Sequence, residues 1–402
     1  MKQVEREAGA MLRTLAGEFR VVGVTGPRQS GKTTLVRTVF PDRGYVNLED
    51  PSLRRFALED PKGLLAAHPD GAILDEVQHC PELFSYLQVD VDEDGRKGKW
   101  VLTGSQHFSM LRNVSQSLAG RVGYLNLRPF NLVEARRAEK EGGRPVGSLE
   151  ELLLAGLHPE VRQGSVDPGR WAANYIATYL ERDLQQVLRV QELDAFRRFL
   201  FLCAGHVGQQ INLREFGAAV GVTHPTVRAW LDVLRTSFQI ILLQPFHQNF
   251  GKRLRQAPRL YFGDTGIACH LLGISAPEQL LRHPSRGGLF ENWVLLEFLK
   301  ARSALALPDN AYFWRTHEGV EVDFIFDFGP TCLPVECKSG MTIASDWTQS
   351  LDKFVGWAGK AAEKPVVIYG GEESRKTSRA TITPWFQIHE WTGFAPGERG
   401  GA

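Results

Sequence analysis

Short apolar runs alternate with polar, helix-period stretches through the first 130 residues. RVVGVTG (20–26), YVNLE (45–49), AILDE (72–76), WVLTGS (100–105) and VGYLNL (122–127) read as short buried strands. The stretches between them are long enough for helices, and this alternation predicts a mostly parallel α/β sheet. Residues 134–151, EARRAEKEGGRPVGSLEE, are highly charged and hold Gly-Gly and a proline, so they read as a surface connection or domain edge. From 150 to 235 the helical period dominates. From 289 a second α/β region begins, with one helix, three or four strands and another helix.

The chain has 402 residues, 43% of them apolar and 23% charged. These values belong to a folded globular chain of several domains and exclude a disordered or collagen-like one. No run approaches the ~18–20 apolar residues of a membrane helix. The start, MKQVEREAGAML, lacks the apolar core of a signal peptide, and the five cysteines form no CxxC pair. A cytoplasmic protein without membrane, disulfide framework or structural zinc is the expectation. With 47 basic and 46 acidic residues the net charge is +1, so only local charge bears on nucleic acid.

Gly26-Pro27-Arg28-Gln29-Ser30-Gly31-Lys32-Thr33 fits GxxxxGK[ST], with Thr34 next, between an apolar strand and a helix-forming TLVRTVF. That setting suits a phosphate-binding loop: backbone N–H groups curl round phosphates, Lys32 adds charge and Thr33 offers a hydroxyl to Mg2+. Gly71-Ala72-Ile73-Leu74-Asp75-Glu76 is a strand ending in two acids. Asp75 is placed to hold Mg2+, and Glu76 to polarise an attacking water. At the tip of 100–106, Thr103 is the candidate γ-phosphate sensor and Ser105 the second; an ordinary strand-end turn is the plainer reading.

These motifs, followed by Ser117-Leu118-Ala119-Gly120-Arg121, resemble the AAA+ superfamily, and one branch of predicted prokaryotic ATPases with a poorly characterised C-terminal domain. Leu157-His158-Pro159-Glu160 and Tyr179-Leu180-Glu181-Arg182-Asp183 resemble further motifs of that branch, so the resemblance spans nearly the whole chain. It implies ATP and Mg2+ as ligands and a homo-oligomeric ring, often a hexamer. It also implies an arginine that reaches a neighbour's γ-phosphate. Arg121 is the candidate, against a plain surface arginine; Arg162 and Arg182 are both options for a lid-domain sensor.

NLREFGAAVGVTHPTVRAWLDVL (212–234) reads as a helix-turn-helix. Leu213, Phe216 and Val220 line one helix, Gly221 breaks it, Thr223 caps the next, and Val227, Leu231 and Leu234 face inward. Thr226 and Arg228 then lie on faces open to a major groove. The run SFQIILLQPF (237–246) and then GKRLRQAPRLYF (251–262) would continue a winged helix. Arg235, Lys252, Arg253, Arg255 and Arg259, with Phe246 and Phe250 interleaved and no acid between 235 and 260, suit DNA phosphates. A protein-packing winged helix is the other reading.

Residues 319–326 and 332–338 read as two strands. Glu336 and Lys338 leave one face of the second, and Asp323 on the first can join them. Glu291, near the start of the amphipathic helix LFENWVLLEFL, offers a third acid. Carboxylates at Glu291, Asp323 and Glu336 could ligate a hard divalent metal, with Lys338 stabilising a phosphate. The order, a helix Glu, then Asp323, then Glu336-x-Lys338 (D…ExK), resembles the restriction-endonuclease superfamily; the alternative is a degenerate copy whose acids form ion pairs.

The expected architecture is α/β throughout: an AAA+ P-loop core (1–150), a helical lid or extension (151–205), a winged helix-turn-helix (206–275) and a restriction-endonuclease-like domain (285–395). The expected activity is ATP-driven remodelling of, or movement along, duplex or branched DNA, with metal-dependent cleavage in reserve. A nucleotide-gated nuclease or switch in defence or toxin–antitoxin biology is the alternative.

Overall fold

Five parallel strands frame the first unit, which comprises Met1–Phe130 with Thr236–Phe238 and Arg302–Leu307. The computed structural model describes residues 3–105, 118–164, 166–180, 193–246 and 257–392. Strands β1 (Val21–Thr25), β2 (Gly44–Asn47), β3 (Ala72–Asp75), β4 (Trp100–Gly104) and β5 (Val122–Asn126) lie in the order β2-β3-β4-β1-β5. Every pairing is parallel. β1, β3 and β4 are buried at every position, as central strands covered on both faces must be. Alternation along β1 divides its side chains. Val22 and Val24 pack with Leu12, Leu35 and Val36, while Val21 joins Leu74, Trp100, Leu102, Phe84 and Leu87. The five predicted strands and the parallel sheet are all present.

The second unit comprises Asn131–Arg235, Gln239–Ala301 and Pro308–Ala402. Its sheet runs β12-β13-β11-β10-β9-β8-β6-β7. The strands are β6 (Ile240–Pro245), β7 (Arg259–Phe262), β8 (Ala311–Arg315), β9 (Glu321–Asp327), β10 (Cys332–Lys338), β11 (Val366–Tyr369), β12 (Arg375–Lys376) and β13 (Thr381–Pro384). β8, β9 and β10 form an antiparallel meander. The helix Gln349–Ala358 then crosses back, so that β11 joins β10 in parallel. β6 pairs antiparallel with β7 and parallel with β8. The hairpin expected as a wing is therefore part of the C-terminal sheet. The helix Arg286–Ala304 covers that sheet through Leu289, Phe290, Trp293 and Phe298, with the Phe298 ring stacked 4.0 Å from Phe326.

Residues 134–151 depart from the expected surface connection. Leu132–Lys140 and Leu149–Ala155 are helices, and Leu132, Ala135, Ala138 and Leu152 are buried. Each begins with a reciprocal capping box, Asn131 with Glu134 and Ser148 with Glu151. Most of the charged residues are half-buried or exposed, while Glu134 is buried in its capping box, and their density is why composition concealed the helices. Among the described residues no helix is long and apolar enough to cross a membrane.

Leu157, the first residue of Leu157-His158-Pro159-Glu160, forms half of a buried joint, while Glu160 at the other end is exposed. Asp264 caps the helix Thr265–Leu271 by accepting from Gly266 N–H at 2.8 Å and also accepts from Leu157 N–H at 2.7 Å. Gly156 (φ +68°) lets the chain pass, since a Cβ there would lie 2.0 Å from Asp264 Oδ1. Asp264→Ala removes a cap and orphans a buried N–H. It should cost about 2 kcal/mol, measured by denaturant unfolding; an unchanged midpoint would dismiss the joint.

Candidate functional site

The loop between β1 and the helix Lys32–Val39 opens at the carboxyl ends of the parallel strands, where open α/β sheets bind ligands. Gly31 (φ 91°) caps that helix in the left-handed region, and Gly26 (φ 149°) approaches Leu127 so closely that a Cβ would lie 2.1 Å from its carbonyl oxygen. Lys32 is buried and donates to the carbonyls of Gly26 at 3.1 Å and Pro27 at 2.9 Å. Burial lowers its pKa, with Glu76 and Asp75 opposing. Ser30 is buried and its carbonyl accepts from Arg6 at 2.7 Å. Arg28 pairs with Glu49 at 3.6 Å. Gln29 and Thr34 are exposed.

Three hydroxyls converge on the Asp75 carboxylate. Thr33 donates at 2.8 Å, Tyr45 at 2.6 Å, and Thr103 also donates to it. Thr103 lies on β4, between β3 and β1, and accepts from Glu76 N–H at 3.2 Å. A hydroxyl beside a carboxylate suits Mg2+, which keeps several waters and takes few protein ligands. Thr33 and Asp75 therefore fit a magnesium ion carried in with a nucleotide.

Glu76 follows β3 with a left-handed backbone (φ 54°). Its Oε2 accepts from Ser105 at 3.1 Å and from Gln78. Burial raises its pKa, but Lys32 and the Gln78 hydrogen bond outweigh that and hold the carboxyl below its ordinary range. Glu76 is thus an ionised carboxylate beside the loop, as a water-activating base requires. Ser105 contacts this acid. Arg121 lies just before β5, at the end of the sheet away from the loop. It grips Asp92 through Nε at 2.6 Å and Nη2 at 2.7 Å.

In the second unit the four C-terminal residues do come together. Asp323 Oδ2 accepts from Cys337 N–H at 2.8 Å, Lys338 Nζ donates to Glu336 Oε1 at 2.7 Å, and Tyr261 donates to Glu291 Oε2 at 3.3 Å. Burial, then Asp323, raises Glu291 well above its ordinary range and Glu336 to about 8. Burial likewise raises Asp323. Among the described residues no three His, Cys, Asp or Glu side chains are arranged to hold a metal ion.

The helix-turn-helix residues form Leu213–Val220 and His224–Thr236, with Gly221 left-handed between them. Val227, Trp230, Leu231 and Leu234 are buried, Thr226 is half-buried and Arg228 exposed. Lys252, Arg253, Arg255 and Phe250 lie outside the described residues, as does Arg182. Arg259 and Phe246 do not serve as expected. Arg259 is buried on Glu321 and Asp323. Phe246 packs on Tyr312, Phe354 and Trp357. Arg162 is also a framework group: fully buried, it donates to the carbonyls of Gly156 and Leu152 at 2.7 and 3.1 Å.

Comparison with known proteins adds an independent line. Residues 18–135 match the family described as AAA domain. Residues 146–278 and 286–388 match two families described as Domain of unknown function, DUF8612 and DUF4143. Uncharacterized protein Rv2008c of Mycobacterium tuberculosis and Uncharacterized protein Mb2031c of Mycobacterium bovis are each 34% identical over 344 residues. That spans 84% of this chain and 74% of each relative. The chain belongs to the Rv2008c family. Its residues 18–135, which carry the phosphate-binding loop, are the part that matches an AAA domain. Among solved structures, this Rv2008c-family chain is similar to a Walker-type ATPase of Pyrococcus abyssi: 17% identity, TM-score 0.45, 67% of this chain and 96% of that one. It is also similar to AMPPCP-bound DnaA from Aquifex aeolicus: 13% identity, TM-score 0.31, 57% of this chain and 85% of that one.

Three residues at the P-loop site of this Rv2008c-family protein escape sequence reasoning. Arg6 reaches the loop from before the first helix, Tyr45 reaches Asp75 from β2, and Gln78 folds back onto Glu76. Only Gln78 leaves a trace, as a polar residue two positions past the acid. Arg6 and Tyr45 act across pairings that no local pattern announces.

Proposed function

We propose that this protein hydrolyses ATP with Mg2+ and uses the turnover to remodel or move along duplex or branched DNA. The observation that carries the reading is the convergence of Thr33, Thr103 and Asp75 beside an ionised Glu76. Lys32 supplies charge to the phosphates and the loop N–H groups cradle them. Bound magnesium would sit at Thr33 and Asp75 and offset phosphate charge. Thr103 ties the two acids together and marks the γ-phosphate end, while Glu76 takes the proton of the attacking water.

DNA enters through the helix His224–Thr236, whose exposed Arg228 and half-buried Thr226 support major-groove contact. Lys252, Arg253 and Arg255 are proposed phosphate contacts. Arg228→Ala should weaken duplex binding several-fold and reduce the salt slope by about 1, read by anisotropy against salt; an unchanged slope points to packing. The protein works as a homo-oligomeric ring in the cytoplasm, often a hexamer in such families. Arg121 there leaves Asp92 and reaches a neighbour's γ-phosphate.

The deciding experiment is ATP hydrolysis by purified protein, without DNA and with single-stranded, duplex, forked and four-way DNA. Strong stimulation by one form supports a DNA-driven motor and names its substrate. Turnover indifferent to all of them moves the reading to a nucleotide-gated switch. The D…ExK residues support a nuclease version of that switch, in which Asp323→Ala abolishes cleavage and spares ATP turnover. Arg259 beside Asp323 weighs against it.

A further inference from the structure

The acid cluster of β9, β10 and the helix Arg286–Ala304 already contains a cation. Arg259 Nη1 lies 3.8 Å from Asp323 Oδ1, and its other terminal nitrogen pairs with Glu321. The guanidinium also sits 4.8 Å from the centre of the Phe313 ring, and the residue is 5% exposed. Tyr261, two positions along β7, donates to Glu291. Residues two apart leave the same face of a strand. β7 therefore delivers a positive charge and a hydroxyl to carboxylates whose sequence pattern does not include it.

A divalent cation needs oxygens converging from several ligands, with room for its own shell of water. Here each acid is engaged by protein: Asp323 by Arg259 and the Cys337 N–H, Glu336 by Lys338, Glu291 by Tyr261. Glu336 Oε2 is buried without a hydrogen-bond partner, but one such oxygen does not make a divalent site. The side chains do not fit the metal that the D…ExK pattern suggests. A guanidinium fixed against Asp323 also repels a second cation brought to the same carboxylate.

We propose that Arg259 stands in the metal's place as a built-in counter-ion, so that the C-terminal acids form a closed, charge-compensated cluster and not a divalent-cation site. This assignment does not depend on ATP turnover.

Mn2+ titration of the full chain tests it, followed by the paramagnetic signal of free Mn2+ and by calorimetry. An Asp75→Asn background removes the P-loop carboxylate from the count. The expected result is no saturable site at micromolar Mn2+, and a melting temperature unmoved by millimolar Mn2+ or by chelator. Arg259→Met should open one site per chain, which Asp323→Asn then removes. One tight Mn2+ per chain with Arg259 intact, lost on Asp323→Asn or Glu336→Gln, would overturn the proposal. A folded Arg259→Met chain that binds none would overturn Arg259 as the excluding group. Should that variant fail to fold, the titration with Arg259 intact decides.

Discussion

Replacing Glu76 with Gln is expected to leave ATP bound and unhydrolysed. The amide keeps the size of the side chain and its contacts with Ser105 and Gln78, but it accepts no proton. A positioned general base contributes about 10²–10⁴-fold, so single-turnover hydrolysis should fall by at least ~100-fold while nucleotide affinity changes little. Lys32→Ala should behave differently. It removes the buried loop ammonium, which the proposed mechanism sets against the phosphates, and should abolish ATP binding itself, read by titration with a fluorescent nucleotide. Normal turnover by Glu76→Gln would remove Glu76 from the mechanism.

Glu336→Gln should stabilise the protein at alkaline pH and leave it nearly unchanged at acid pH. Glu336 faces Asp323 from β9, Lys338 on its own strand, Arg259 from β7 and Glu291 from the covering helix. Burial and then Asp323 raise its pKa to about 8, against the pull of Lys338. Unfolding returns the group to the ordinary carboxylate range, so the folded chain holds the extra proton between the two values. The stability it contributes is fully present at low pH and is lost as pH rises through about 8. The loss over that whole span is on the order of 5 kcal/mol. Thermal unfolding at about pH 5 and about pH 8.5 should show the Gln variant gaining several degrees at the higher value only. A pH-independent difference between variant and parent would sink this account.

Local chemistry made the first unit legible. A glycine-rich loop between an apolar strand and a helix, and two acids at a strand end, each carry their meaning within a few residues. The helix-turn-helix was legible for the same reason, through Gly221 and the inward spacing of Val227, Leu231 and Leu234. What sequence missed depends on pairing between distant strands. Arg259 counted as one more basic residue in a basic stretch until β7 placed it against Glu321 and Asp323. Helices 132–140 and 149–155 are hidden differently: the density of charge along them masks the buried stripe, although Asn131-x-x-Glu134 and Ser148-x-x-Glu151 announce both starts. Arg121 stands out in sequence as the candidate arginine for a neighbour's γ-phosphate, but its clasp with Asp92, on a helix 29 residues away, leaves no local trace.

The placement of β6 decides how this chain can be cut. β6 joins β7 on one side and β8 on the other, so the stretches 146–278 and 286–388, which match separate families, share a sheet. A fragment ending near residue 278 would strip β6 of β8 and leave backbone donors and acceptors open along a strand with Ile240, Leu243 and Pro245 buried in the intact fold. Open strand edges of that kind recruit other chains. Expressed separately, the two stretches should aggregate or exchange strands, and co-expressed they should reassemble. The unit of inheritance, and of any working chimera within this family, is then the whole span from Asn131 onward.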